Sequence, residues 1–162
     1  MPKYFFFCSL ILILNNSLFG QGIGVSDLEK LSKLDGSEIE TFLNNKGLII
    51  ERIETKENYS MIIYINPSPK FWVATSTYDD SCKVFMCDFR DTKFYNLQKS
   101  QATQNGFKYI KQEIYNDNKS TSGYSYKSIH YLYEKDGNKL TFISQVFDDH
   151  IQYEISYNLK CF

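Results

Sequence analysis

Histidine occurs only twice in this 162-residue chain, as His130 and His150, and tryptophan once, as Trp72. A zinc site of four nitrogen or sulfur ligands would need CxxC or HxxxH pairs, and the chain has neither. GxGxxG, phosphate-loop, HExxH and GxSxG patterns are also missing, which removes the usual signatures of nucleotide, metalloprotease and serine-hydrolase sites. Eighteen Lys and Arg are scattered against nineteen Asp and Glu. No basic stripe exists to neutralise phosphates, so nucleic acid is not an expected partner. Proline and alanine are scarce. Tyr and Phe, at 13 each, are plentiful and fit a pleated, half-buried surface, which points to sheet.

The one long apolar run is Tyr4 to Leu14, preceded by Lys3 and closed by Asn15, Asn16 and Ser17. A charged start, a run of about eleven residues and a small exit residue, Gly20, have the form of a secretory signal. Roughly twenty apolar residues are needed to span a bilayer, so this run is too short for a membrane anchor. Residues 1–20 are therefore predicted to be a signal peptide and 21–162 a single exported domain, periplasmic or extracellular. Losing Lys3 moves the net charge from −1 to −2, since −1 − 1 = −2. Cys8 follows three Phe and lacks a small-residue lipobox, so lipid attachment there is not expected.

Three cysteines then remain: Cys82, Cys87 and Cys161. Export permits a disulfide, and the odd number leaves at least one thiol without an intrachain partner. A straight strand over "CKVFMC" would hold Cys82 and Cys87 on opposite faces and roughly 16 Å apart. Bridged Cα atoms lie within about 7 Å. A pairing that uses Cys161 is favoured, with the three connectivities left open.

"SDLE" at Ser26–Glu29 and "SEIE" at Ser37–Glu40 read as capping boxes opening two short helices, separated by Gly36. Leu28, Leu31 and Leu34 stripe the first helix, and Ile39, Phe42 and Leu43 the second. Gly47 is expected to close the second helix in the left-handed conformation. From Leu48 the pattern turns to β-branched and aromatic runs, broken at Asn66–Pro69, where proline cannot sit in a central strand. A third helix is predicted from about Thr92 to Asn105, capped by Asp91 and stopped by Gly106. Strands then resume, with the Asp-Gly of "EKDGNK" signalling a hairpin.

The two halves resemble each other. "GLIIERIE" (Gly47–Glu54) aligns with "GFKYIKQE" (Gly106–Glu113), and "KFWVATSTYDDSCKVFM" (Lys70–Met86) with "KLTFISQVFDDHIQYEI" (Lys139–Ile155). Internal similarity implies units that share one core. The expected fold is α+β: an internally duplicated unit of helix plus four antiparallel strands, helices packed on one face of the sheet. The repeats span about 26–90 and 91–162.

Asp79, Asp80, Asp148, Asp149 and His150, with Cys82, are candidate metal ligands by type. Their spacing fits neither a calcium loop nor a zinc site, and the recurrence of the acidic pair after an aromatic residue favours turns. No metal, cofactor or catalytic residue is therefore assigned. His130, between Ile129 and Tyr131, is expected to face solvent from a strand. The aromatics carry the functional expectation. Phe71, Trp72, Tyr124, Tyr126, Tyr131 and Tyr133 are candidates for a protein-binding face, because Tyr and Trp dominate interface hot spots. A two-layer core with tyrosine hydroxyls at its rim is the competing reading.

Two helices or one followed by four antiparallel strands, repeated, resembles the tandem-repeat fold of secreted β-lactamase-inhibitor proteins over roughly Ser26 to Phe162. The chain also looks like small exported bacterial proteins of unassigned function. The first resemblance is architectural and carries over no inhibitory residue. The expected function is a secreted or periplasmic non-catalytic binding module that engages a protein partner through the aromatic sheet face, a class that includes inhibitor- and immunity-like roles. The alternatives are a small hydrolase or ligand-binding domain using His130 with a nearby acid, and a self-associating surface protein.

Overall fold

The computed structural model describes residues 22–67, 70–78, 82–119 and 125–159. Helices α1 (Val25–Leu31) and α2 (Gly36–Asn45) come first. Strands β1 (Ile49–Lys56), β2 (Tyr59–Pro67), β3 (Lys70–Tyr78) and β4 (Cys82–Phe89) follow. Helix α3 (Thr92–Gln104) leads into β5 (Lys108–Lys119), β6 (Ser125–Lys135), β7 (Asn138–Val146) and β8 (Ile151–Leu159).

Local chemistry sets the helix ends, although not always at the predicted residue. Helix α2 is capped by Asp35, not Ser37. The Asp35 carboxylate accepts from the Glu38 amide at 2.9 Å, and Glu38 Oε2 accepts from the Asp35 amide at 3.0 Å. Asp caps as well as Ser does and arrives two residues earlier, so Gly36 becomes the first helical residue instead of a separator. Helix α1 likewise starts two residues early, with the Gly24 amide donating to Asp27 Oδ2 at 3.2 Å. Leu34 consequently lies beyond α1, packed against the edge of the core. Asp91 caps α3, accepting from the Lys93 and Phe94 amides at 2.7 and 3.0 Å. Gly47 and Gly106, with φ of +80° and +88°, close α2 and α3 as expected. Asp136 and Gly137 both take positive φ, the geometry that a two-residue hairpin between β6 and β7 needs.

The eight described strands form one antiparallel sheet in the order β1-β2-β3-β4-β8-β7-β6-β5. Its centre is the β4–β8 pair, which sets Cys87 opposite Ile155 and Asp88 opposite Glu154. This corrects the expected architecture. Among the described residues the structure is mostly sheet, 57% strand and 24% helix, and one continuous eight-stranded sheet with three helices replaces the expected duplicated helix-plus-four-strand unit with helices on one face. The central pairing joins the strands of both halves in a single sheet, and the helices are unequal: two short ones precede β1 and a single 13-residue helix precedes β5.

Strand alternation sorts the side chains onto two faces. One face carries the core. Val73, Cys87, Ile155 and Phe142 lie in register across β3, β4, β8 and β7, and Phe85, Tyr157, Leu140 and Tyr133 form the next row. These side chains join Val25, Leu28 and Leu31 of α1, Ile39 and Leu43 of α2, and Tyr95 and Ala102 of α3 in one buried cluster. Tyr95 stacks on Tyr153 at 4.4 Å between centroids and meets Phe142 edge-on at 5.7 Å. At the N-terminal end, buried Gln98 accepts from the Val25 amide at 2.8 Å. A methyl group at Gly24 would fall 2.4 Å from the same Gln98 oxygen, so a larger residue there would push Gln98 off its bond to the Val25 amide.

Candidate functional site

The second face of the sheet is where a site can form, because none of its large side chains belongs to the core cluster. The register aligns Trp72, Asp88, Glu154, Ile143, His130 and Glu113 across β3, β4, β8, β7, β6 and β5. Ile63, Ala74, Met86, Ser156, Thr141 and Leu132 form the neighbouring row. Small residues lie in its floor: Ala74, Ser76, Ser128 and Ser156 are buried, whereas Trp72, Met86 and Ile143 stay partly open. Ser76 Oγ is fully buried without a hydrogen-bond partner.

The aromatic residues singled out from sequence divide between the faces. Trp72 and Tyr126 stand on the open face. Phe71 alternates with Trp72 and is buried on the core side. Tyr131 and Tyr133 also point to the core side, where Lys99 Nζ sits 3.2 Å from the centre of the Tyr131 ring and Tyr133 packs edge-on against Phe142 at 5.5 Å. Burial lowers the pKa of that lysine below its usual range. Tyr124 lies outside the described residues. Consecutive strand residues cannot share a face, so a six-residue aromatic surface does not assemble.

At the centre of the open face two carboxyl groups stand directly opposite each other. Asp88 Oδ1 accepts from the Trp72 amide at 3.2 Å, and Oδ2 accepts from Gln152 Nε2 at 2.8 Å. Burial raises the Asp88 pKa despite these bonds. Glu154, whose carboxylate receives no hydrogen bond from a described residue, is pushed up to about 7, first by burial and then by the Asp88 charge. Near neutral pH this carboxyl group is poised to hold or release a proton.

A second group of polar side chains lies towards the β5 edge. His130 Nε2 is 3.1 Å from Ser128 Oγ, and burial keeps the His130 pKa below its usual value against the opposing pull of Glu113. Glu113 is held by Lys111 Nζ at 2.6 Å and by the Tyr115 hydroxyl at 2.8 Å. A serine, a histidine and an acid are thus neighbours here. Ser128 and His130 lie on β6, however, which is ladder-paired to β5 on one side and β7 on the other, so the backbone N–H groups beside them are committed and not placed to stabilise an oxyanion.

The acidic pairs separate in the same way. Asp148 and Asp149 form the β7–β8 turn, with Asp149 Oδ1 2.6 Å from His150 Nδ1 and the Phe147 amide donating to the His150 carbonyl. Asp79 and Asp80 lie outside the described residues, as does Cys161. Among the described residues no three His, Cys, Asp or Glu side chains gather as a metal site would require. Cys82 is disulfide-bonded, whereas Cys87 is a free thiol buried in the core. The bond therefore does not run between these two. No described helix is long and apolar enough to cross a membrane.

No protein-family model, curated protein or solved structure matches the chain. Its site must be read from its own geometry. Asp88, Glu154, Ser128, Glu113 and Tyr115 escaped the sequence reading. A glutamate between Tyr153 and Ile155 was the available signal for the first pair, but only strand pairing brings Asp88 to it.

Proposed function

We propose that this chain is an exported, non-catalytic binding module that engages a protein partner through the open sheet face centred on Trp72, Met86 and Ile143. The observation that carries the reading is the position of Trp72. It is a large aromatic side chain, partly open, on a face whose large side chains lie outside the core cluster. Exposed apolar surface of this kind marks interaction sites, and tryptophan is among the commonest interface anchors. The N-terminal run supports export, and an inhibitor- or immunity-like role falls within this class.

The edges support association less well. β1 and β5 expose Ile53, Ile110 and Ile114, but both strands are interrupted by bulges, at Ile50/Arg52 and Tyr109/Lys111. Arg52–Glu54 and Lys111–Glu113 ion pairs line the same edges. Bulges and edge charges are the devices that discourage strand addition. The face is therefore preferred over the edge.

The test compares capture from envelope extract by the native chain and by Trp72→Ala and Ile53→Ala variants, each checked for a native fold. A protein retained by the native chain and by Ile53→Ala, but lost with Trp72→Ala, supports the reading. Equal retention by all three, or no retained protein, sinks it.

A further inference from the structure

The open face contains, besides the Trp72 region, a depression of about 210 Å³ at its β5–β7 end, lined by Tyr115, Tyr126, Ser128, His130, Ile143 and Gln145. We propose that this depression binds one uncharged sugar ring, stacked against tyrosine and hydrogen-bonded along its hydroxyl edge.

Size is the first reason. Pockets for drug-sized ligands run from roughly 300 to 1,000 Å³, so a space of about 210 Å³ suits a single ring with its substituents. The second is the composition of the lining. Two aromatic rings and Ile143 offer apolar surface, which complements the C–H faces of a pyranose. Gln145 supplies donors and an acceptor suited to hydroxyl groups, beside the hydrogen-bonded Ser128–His130 pair, and hydroxyls can reciprocate in either sense. No lining residue carries a fixed charge. Two acids stand in register with the lining: Glu113, opposite His130, already faces Lys111 at 2.6 Å, and Glu154, opposite Ile143, is disfavoured in its charged form by burial, as is His130. An anionic or cationic ligand would find nothing there to neutralise it.

Preorganisation is the third reason. The Tyr115 hydroxyl donates to Glu113 Oε2 at 2.8 Å, and its ring lies 4.7 Å from the imidazole of His130. Tyr126 is backed by Phe147 at 5.0 Å, and Phe147 in turn stacks on His150 at 4.6 Å with ring planes only 7° apart. Glu113 holds the Tyr115 hydroxyl and Phe147 backs the Tyr126 ring, both from outside the depression. A braced aromatic wall loses little freedom when a ligand settles on it, which lowers the cost of binding.

The experiment titrates the full folded chain with glucose, galactose, N-acetylglucosamine and their disaccharides, followed by NMR of the aromatic and amide signals. Caffeine serves as a planar, uncharged control without hydroxyl groups. The expected result is saturable shifts of the Tyr115, Tyr126 and His130 signals with at least one sugar. Tyr115→Ala should weaken that binding at least tenfold, and Gln145→Ala at least threefold, while Trp72→Ala leaves it unchanged. Tyr115 is 43% exposed on an edge strand, so its truncation leaves the core intact. The proposal is overturned if no sugar gives saturable shifts at tens of millimolar, if caffeine binds in their place, or if the shifts centre on Trp72. Because the partner test depends on Trp72 and this one on Tyr115, either can fail while the other stands.

Discussion

Replacing Glu154 with glutamine should change how the stability of this protein depends on pH. The carboxyl group sits opposite Asp88 on the central strand pair and has a pKa of about 7 when folded, against an ordinary value of 4.5. Below pH 4.5 it is protonated in both the folded and the unfolded chain and contributes nothing to pH dependence. Between pH 4.5 and 7 the unfolded chain releases the proton while the folded chain keeps it, so stability falls as pH rises. Above pH 7 both states are ionised and the loss is complete. A gap of 2.5 between the two values, at about 1.4 kcal/mol per pH unit, corresponds to a loss of ~3 kcal/mol. Glutamine keeps the shape without the charge, and it also relieves the repulsion on Asp88. Glu154→Gln should therefore match the native chain near pH 4.5 and exceed it by ~3 kcal/mol at pH 8. For a domain of this size that is a rise in Tm of roughly 6–12 °C. Urea or thermal unfolding of both proteins at intervals from pH 4.5 to 8 measures the difference. A stability gap that stays constant over that range would refute the assigned burial of this carboxyl.

Phe142 lies fully buried between Tyr95 and Tyr133; truncating it to alanine should cost about 3–5 kcal/mol in urea unfolding. Ile53→Ala, at a side chain 60% exposed, should cost no more than about 0.5 kcal/mol, and comparable losses at the two sites would contradict the position of the core. The Cys87 thiol is buried and its pKa is raised well above the usual range, chiefly by desolvation, so a thiol reagent should label it slowly in the folded chain and rapidly in denaturant. Prompt labelling under native conditions would show that the β4 face is open.

Features decided by neighbouring residues were legible in the sequence. The closing glycines at 47 and 106 need only the next turn of helix to define them, and the Asp136–Gly137 hairpin needs only its two central residues. Asp91 was readable as a cap for the same reason. The caps of α1 and α2 were misplaced by two residues because two local solutions competed, and Asp35 came before Ser37. The recurrence of Tyr78–Asp80 as Phe147–Asp149 marked the latter as a turn, which the structure shows between β7 and β8.

What the sequence determined by itself is the inventory of strands, most of their ends and the alternation of side chains along each one. Only the tertiary structure decided that the strands form one sheet, because the β4–β8 pairing that joins its halves links residues some seventy positions apart. That pairing also placed Asp88 against Glu154 and turned two ordinary acids into a perturbed pair. The aromatic residues show the same division. Alternation already separated Phe71 from Trp72, but which of the two would be buried depended on where the helices found their apolar counterpart. Local propensity acts over a few residues. Register and burial are set by the whole chain at once, and those are the terms in which the open face is written.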